Sequence, residues 1–195
     1  MDALAIKEFI SIYQYVIFSK LREIFGSLEP PEMEDFPDIM IQYKRLLPVG
    51  KDKGEFFPEL VKNSNLADVI QVLNHFYFIK PLYLENMYVL FGRDDNGGFY
   101  IGVDLSNRKV ILAEDIDGAY TYIASGEGGF LNYLRIYLEY RILPNKLTND
   151  FEVNRIFKEK VIAAVGGNEY ADYYRFVFPC QSDSEFKPIA LPFRL

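Results

Sequence analysis

Histidine and cysteine, the residues that most often act as base, nucleophile or metal ligand, occur once each in this chain of 195 residues. His75 lies in an aromatic stretch, and Cys180 follows a proline near the end of the sequence. Serine or cysteine catalysis would have to use this one histidine, and the Gly-x-Ser-x-Gly motif of hydrolases is absent. Zinc would need a cluster of cysteines and histidines. We therefore predict a structural role for His75 and expect no catalytic residue, no metal and no cofactor.

Carboxylates offer a second kind of chemistry, in the Asp-rich segments 94–97 and 115–118. Oxygen ligands at such spacing suit calcium, but neither segment is followed by the glutamate that closes a calcium-binding loop. A pair such as Glu114 and Asp117 could serve in acid–base catalysis, although any acidic chain contains such pairs. Asp, Asn and Gly are also the residues that favour tight turns. Hairpin turns are therefore the interpretation that we prefer.

The formal net charge of the chain is −7, and it is unevenly distributed. Residues 91–130 contain 3 basic and 7 acidic side chains, whereas residues 131–195 contain 9 and 8. Residues 29–38 add five acids and no base. A nucleic-acid-binding surface needs clustered lysines and arginines. The charge balance therefore argues against nucleic acid and favours a basic partner, which an acidic surface attracts.

Composition places the chain among soluble globular domains, since 50% of it is hydrophobic and 25% is charged. No stretch approaches the ~18–20 apolar residues of a membrane span, and residues 1–8 lack the basic start of a secretion signal. A single cysteine cannot form an internal disulfide, which suits a reducing compartment. The sequence thus predicts a cytoplasmic protein without a membrane partner, and its length suits one domain.

Hydrophobic periodicity predicts the elements that would position these residues. Apolar residues at helical spacing predict a long helix over residues 3–25, and the prolines of residues 27–38 predict a loop. The same spacing predicts a helix over residues 66–79 that is stopped by Pro81. The further predicted elements are a short strand at 39–47, helices at about 128–142 and 150–165, the second capped by Asn149 or Asp150 and stopped by Gly166, and a surface tail over 170–195.

Short β-branched and aromatic runs, separated by polar Gly-rich turns, predict an antiparallel meander in the middle of the chain. Alternation in one of these runs places Tyr100, Gly102 and Asp104 on the same face. The fold class is therefore α+β, with an antiparallel sheet of about four to six strands packed by helices, a long N-terminal helix and a helical C-terminal extension. The predicted strands of the meander are Met87–Phe91, Phe99–Leu105, Lys109–Ala113 and Tyr120–Ala124.

The stretch from Tyr88 to Leu105 resembles a conserved segment of the SUKH superfamily, which joins yeast cell-wall-synthesis regulators with bacterial toxin-immunity proteins. The shared features are an apolar strand, an Asp and Gly-Gly turn, and an aromatic strand that ends in Asp-Leu. The following segment is also similar, with a strand at Lys109–Leu112 and a Ser125 that precedes the helix containing Phe130. The resemblance implies a single domain over residues 1–195, in which residues 1–145 form the core and residues 146–195 a helical extension and tail.

The resemblance also implies a non-catalytic protein-binding module, because bacterial members of the superfamily neutralise nuclease or deaminase toxins by direct binding. The acidity of residues 91–130 agrees with a basic, nuclease-like toxin as the partner. Tyrosine is enriched at binding hot spots, so we expect tyrosines near these acids to be anchors. The predicted partner-binding residues are Asp94, Asp95, Tyr100, Glu114, Asp115, Asp117 and Tyr120.

Two other classes of function remain open at the level of the sequence. A regulatory module that binds a small molecule or a peptide would contain a concave apolar pocket of about several hundred cubic ångströms. A carboxylate-dependent enzyme would hold two acids in a deep cleft, at least one with a strongly raised pKa. A flat acidic patch without such a pocket would favour the immunity protein.

Overall fold

The computed structural model describes residues 3–25, 41, 56–69, 73, 76–84, 87–94, 98–114, 119–175 and 177–178. The predicted loop at 27–38 and most of the predicted strand at 39–47 lie outside these residues. The same holds for His75, Cys180 and three of the predicted partner-binding residues, Asp95, Asp115 and Asp117.

Within the described residues, five strands form one antiparallel sheet whose strand order follows the chain. Consecutive antiparallel strands joined by short connections form a meander, as the alternating pattern and the Gly-rich turns predict. Together with helices before and after the sheet, this confirms the predicted α+β class. The strands are β1 (Phe76–Leu84), β2 (Tyr88–Asp94), β3 (Phe99–Asp104), β4 (Val110–Ala113) and β5 (Tyr120–Ala124).

The predicted helix over residues 66–79 is wrong at its end, because residues 76–79 begin strand β1. Phe76 pairs with Asp94 of β2, and the strand continues through Pro81. A short aromatic run carries little information on period, and Phe, Tyr and Ile favour a strand once a neighbour is available for pairing. Pro81 lies at an irregularity of pairing between Phe78 and Leu82, in the first strand of the sheet order. A proline is tolerated at such a position because no ladder hydrogen bond depends on its missing N–H.

Helices α1, α2, α3, α5 and α6 contribute buried side chains to a core on one face of this sheet. Helix α1 confirms the predicted span, and Asp150 caps α5 by accepting hydrogen bonds from Glu152 N (2.8 Å) and Val153 N (3.2 Å). Gly166 ends α5 in the left-handed conformation at φ 116°, as predicted. The helices are α1 (Ala3–Phe25), α2 (Phe56–Lys62), α3 (Glu127–Arg141), α4 (Asn145–Thr148), α5 (Phe151–Val165) and α6 (Ala171–Arg175), with a 3-10 turn at Asn168–Tyr170.

Aromatic side chains form the centre of the core between the helices and the sheet. Phe57 of α2 stacks on Phe91 of β2, with ring centroids 4.8 Å apart and planes inclined by 7°. Phe130 of α3 meets both rings edge-on, at 5.6 Å and 5.9 Å. Such pairs contribute about 0.5–1.5 kcal/mol each beyond the burial of their area. Core packing thus explains many of the 15 tyrosines and 17 phenylalanines of the chain.

The C-terminal helices belong to the same core, which corrects the surface tail predicted from residue 170 onward. Val161 and Val165 of α5, Tyr174 of α6 and Phe178 are all fully buried in it. The hydroxyl of Tyr174 donates to the carbonyl oxygen of Ile123 in β5 at 2.7 Å. Large aromatics at positions i, i+3 and i+4 from residue 170 make an apolar helical stripe, which requires burial. Residues 179–195 lie outside the described part of the chain.

Candidate functional site

The sheet has two faces with different surroundings. The side chains of Phe91, Ile101 and Leu112 point to the helices and join the main core. The opposite face carries a separate cluster, in which Leu90 and Ile111 are fully buried. We call this opposite surface the tyrosine face, because four tyrosines surround those two aliphatic side chains: Tyr88, Tyr100, Tyr120 and Tyr122.

Strand register brings these tyrosines together from three strands. Tyr100 of β3 pairs with Ala113 of β4, which in turn pairs with Tyr120 of β5. Directly paired residues of antiparallel strands share a face. Tyr100 and Tyr120 therefore flank the small side chain of Ala113 on the same side of the sheet. In the next row, Tyr122 pairs with Ile111.

The absence of a side chain at Gly102 leaves room for Leu90 at the centre of this face. A Cβ atom at this position would lie 2.7 Å from the carbonyl oxygen of Val89 and 2.8 Å from Leu90 Cδ2, so only glycine fits. On a flat sheet, β2 and β5 would be about 14 Å apart, at three strand spacings. The ring centroids of Tyr88 and Tyr120 are nevertheless only 5.9 Å apart. The side chains of Tyr88 and Tyr120 therefore lean toward each other across the face and cover Leu90 and Ile111.

Two cations of the chain already lie against rings of this face. The guanidinium carbon of Arg93 is 5.5 Å from the ring centroid of Tyr100. Lys109 Nζ is 5.1 Å from the centroid of Tyr122 and 5.7 Å from that of Tyr170. Distances below about 6 Å are those of cation–π attraction. The rings of Tyr100 and Tyr122 are thus each in contact with a cation of the chain itself.

A carboxylate supports the same face at its other end. Asp104, paired with Tyr88 across β2 and β3, accepts hydrogen bonds from Tyr122 Oη (2.8 Å), Ser106 Oγ (2.6 Å), Ser106 N (2.8 Å) and Asn107 Nδ2 (3.0 Å). Burial opposes ionisation of Asp104, but these hydrogen bonds outweigh it and hold its pKa below the usual value. Burial and the hydrogen bond to Asp104 raise the pKa of Tyr122 to about 12. Asp104 is therefore an ionised, fully engaged acceptor and not a poised acid.

Three of the predicted partner-binding residues come together at one edge of this face. Tyr100 and Tyr120 are half-buried, and Glu114, which directly follows Ala113, is exposed. The backbone N–H of Glu114 donates to the carbonyl oxygen of Ala119 at 3.1 Å, which closes the β4–β5 connection. The three residues thus lie at the same end of β3, β4 and β5, although alternation along β4 directs Glu114 to the side of the sheet opposite Ala113.

Asp94 does not belong to this surface, although the sequence places it among the acids. Its side chain is buried, with 4% of its surface exposed, and Tyr173 Oη of α6 donates to Asp94 Oδ2 at 2.7 Å. The cause is a register shift between Leu90 and Gly92 in β2. A shift of one residue moves the following side chains to the other face, so Arg93 faces Tyr100 and Asp94 faces the helices.

Burial also removes other acids of residues 91–130 from the surface. Asp104 and Glu127 are 6% and 7% exposed. Glu127 Oε1 accepts a hydrogen bond from Phe57 N at 2.7 Å, so it caps the first turn of α2 from a distant helix. Among the described acids of this segment, Glu114 is the exposed one. The negative charge counted along the sequence is therefore only partly a surface charge.

Reasoning from the sequence overlooked Tyr88 and Tyr122 as members of the site. Alternation within β5 would have assigned Tyr122 to the side of Tyr120, because residues i and i+2 of a strand share a face. The register between strands, which brings Tyr88 to Tyr120, carries no comparable local signal.

Comparison with protein-family models, with curated proteins and with solved structures found no match to this chain. Among the described residues, no helix is both long and apolar enough to span a membrane. The same part of the chain holds no group of three or more His, Cys, Asp or Glu side chains arranged to bind a metal ion.

Proposed function

We propose that this protein is a non-catalytic protein-binding module, an immunity protein that neutralises a basic, nuclease-like bacterial toxin by direct binding. The observation that carries the proposal is the tyrosine face, with Tyr100 and Tyr120 on either side of Ala113 and Glu114 at the edge. Half-buried tyrosines are held rigidly and lose little entropy on binding, which is why they serve as anchors.

Charge supports a basic partner. The chain carries a net charge of −7, and attraction between an acidic protein and a basic one accelerates their encounter. Asp95, Asp115 and Asp117 remain predicted contacts, since they belong to the chain segments that join β2 to β3 and β4 to β5. The strand ends Asp94 and Ala113 that precede these segments lie at the same edge of the sheet as Tyr100 and Tyr120.

The resemblance of residues 87–134 to the SUKH superfamily supports the choice of a toxin as this partner. On that basis we propose a cytoplasmic site of action, where nuclease toxins meet their targets.

The proposal is tested on the reading frame next to that of this chain, which we expect to encode a basic toxin domain. We expect the purified chain to form a stoichiometric complex with that domain in isothermal titration calorimetry and to abolish its nuclease activity. The association rate should fall when the salt concentration is raised from about 50 to 300 mM, because salt screens the attraction between the two surfaces. Neutralisation without a detectable complex would contradict the proposal.

A different outcome would favour a module that binds a small molecule. If basic toxin domains show no complex while a small molecule raises the melting temperature of the chain, the protein is a small-molecule-binding module. The immunity proposal would then be wrong.

A further inference from the structure

We propose that residues 186–195 of this chain pack on an apolar surface where α3, α4 and α5 meet. Ile142, Leu147 and Phe151 form this surface and are 44%, 40% and 38% exposed, and we call it the apolar corner. Exposed apolar side chains are common when they are scattered singly, but three at one corner gain free energy when they are covered. The inference is independent of the proposed function, because it does not involve the tyrosine face.

Hydrogen bonds fix the shape of the apolar corner. The hydroxyl of Tyr140 lies 2.8 Å from both Thr148 O and Asn154 Oδ1, so it joins the last turn of α3 to the first turn of α5. The N–H of Asp150 donates to the carbonyl oxygen of Leu147 at 3.1 Å, in the turn that leads from α4 into α5. The apolar corner is therefore already formed in the described part of the fold, and a segment that covers it does not have to create it.

The described part of the chain ends close to this corner, at Phe178. The ring of Phe178 is buried, with its centroid 5.1 Å from that of Tyr140 and 6.4 Å from that of Phe157 in α5. Phe151 is one and a half to two turns from Phe157, or about 9 Å along the helix axis. The chain from Phe178 to residue 186 can span about 26 Å when it is extended. Residues 186–195 are therefore within reach of the apolar corner.

The composition of residues 186–195 suits this surface. The segment has two basic residues and no acidic one, whereas the whole chain has a net charge of −7, so the rest of the molecule attracts it. Pro188 and Pro192 restrict the backbone and thereby reduce the entropy that is lost on docking. Its large apolar side chains are Phe186, Ile189, Leu191, Phe193 and Leu195.

The segment that precedes α2 is a poorer candidate for the same surface. It joins α2 at Phe56, and the next residue, Phe57, donates its N–H to Glu127 in the first turn of α3. The apolar corner lies at the last turn of α3, about 20 Å away along the helix axis. Proximity therefore favours residues 186–195 over residues 42–55.

The test uses the full chain and removes apolar side chains from the segment, in the variant Leu191→Ser/Phe193→Ser. We expect the NMR resonances of Leu147 and Phe151 to shift, because these side chains lose their cover. The matched control, Ser182→Ala/Ser184→Ala, changes two polar residues nearer to Phe178 and should leave the same resonances in place. Resonances of Leu147 and Phe151 that do not respond to the first variant would overturn the inference.

A reciprocal variant changes the surface instead, in Leu147→Ser/Phe151→Ser. Cleavage by chymotrypsin within residues 186–195 should become about 3- to 10-fold faster, because a docked segment is cut only while it is released. The control is Ile156→Ser, since Ile156 is 43% exposed on α5 but lies beside the ion pairs of Arg155 and not at the corner. Equal acceleration in both variants would contradict the assignment. The segment variant keeps the inference testable if the surface variant does not fold.

Protein concentration separates the segment of the same chain from that of a second copy. Contact within one molecule does not depend on concentration, whereas contact between two molecules weakens on dilution. We expect the resonance difference between the parent chain and Leu191→Ser/Phe193→Ser to stay constant over a roughly tenfold range of concentration. A difference that disappears on dilution would assign the corner to a second copy, and the inference would be wrong.

Discussion

Asp104 joins the tyrosine face to the turn that follows β3, because its carboxylate accepts hydrogen bonds from both Tyr122 and Ser106. Its pKa is lower in the folded chain than in the unfolded chain, where it is about 3.9. The unfolded state therefore binds more protons as the pH falls. It follows that Asp104 stabilises the fold above about pH 4 and that this contribution is lost as the pH falls through the folded-state pKa.

The corresponding prediction concerns Asp104→Asn. We expect the variant to be less stable than the parent chain at pH 7 by about 1–3 kcal/mol, because hydrogen bonds to a charged acceptor are lost. The difference should shrink between pH 4 and pH 2, which urea unfolding at each pH would measure. Glu114→Gln, at an exposed carboxylate of the same hairpin, is the control and should follow the parent chain. A difference that stays constant with pH would contradict the assignment.

A second residue-scale prediction concerns the buried contact between Tyr173 and Asp94. Burial raises the pKa of Tyr173 well above its usual value, so its hydroxyl stays protonated and donates to the carboxylate. Tyr173→Phe removes that donor from a buried acceptor and should lower the free energy of unfolding by about 1–3 kcal/mol. Tyr15→Phe, at an exposed ring, should change it by less than about 0.5 kcal/mol in the same urea titration. Equal effects of the two variants would show that the buried contact contributes nothing.

The orientation of a side chain can be predicted from the sequence where it depends only on alternation within one strand. The alternation of β3 places Tyr100 on the side of Gly102 and Asp104, and the cluster opposite the helices agrees with it. The prediction that Asp94 binds a partner is wrong, because its orientation depends on a register shift in β2. That shift arises from pairing with another strand, and the local residues do not reveal it.

At the scale of elements, α2 is one of the short helices that the sequence does not predict. It has only seven residues, too few for an apolar period to stand out or for the helix to be stable alone. Its first turn is held by Glu127, a residue 70 positions away in α3. Phe57 of the same turn fills the aromatic core. Tertiary contacts, and not local propensity, therefore form this helix.

The prediction for α2 is a change of Glu127 to Ala. The variant loses the acceptor for Phe57 N at the positive end of α2, so we expect a loss of stability of about 1–2 kcal/mol. Glu127→Gln keeps an acceptor oxygen and should lose less. Hydrogen exchange should show earlier opening of amides in α2 than in α5 for the alanine variant. Unchanged exchange in α2 would mean that the cap is dispensable.

At the scale of the whole molecule, the C-terminal helices complete the core and are not an addition to it. Val161, Val165, Tyr174 and Phe178 supply fully buried side chains on the helical side of the sheet. The sequence predicts α5 from its helical spacing, whereas it assigns the five residues of α6 to a surface tail.

We therefore expect a chain shortened to residues 1–145 to lose cooperative folding. The truncation removes four fully buried apolar side chains and exposes the helical side of β5. The expected loss of stability is about 2–5 kcal/mol for each large side chain. Near-ultraviolet circular dichroism and thermal unfolding would report this loss. The control ends after residue 178 and keeps all the described residues, so it should unfold cooperatively. A cooperative transition in the 1–145 chain would show that the core is complete without α5 and α6.

The central claim is that the tyrosine face is the surface that binds a basic protein. The most direct measurement is the dissociation constant of the neighbouring toxin domain for the double variant Tyr100→Ala/Tyr120→Ala, compared with Tyr15→Ala, both checked for unchanged thermal unfolding. Loss of two anchors at about 2 kcal/mol each should weaken binding roughly 100- to 1000-fold, whereas the control should bind like the parent chain. A double variant that binds as tightly as the control would contradict the claim.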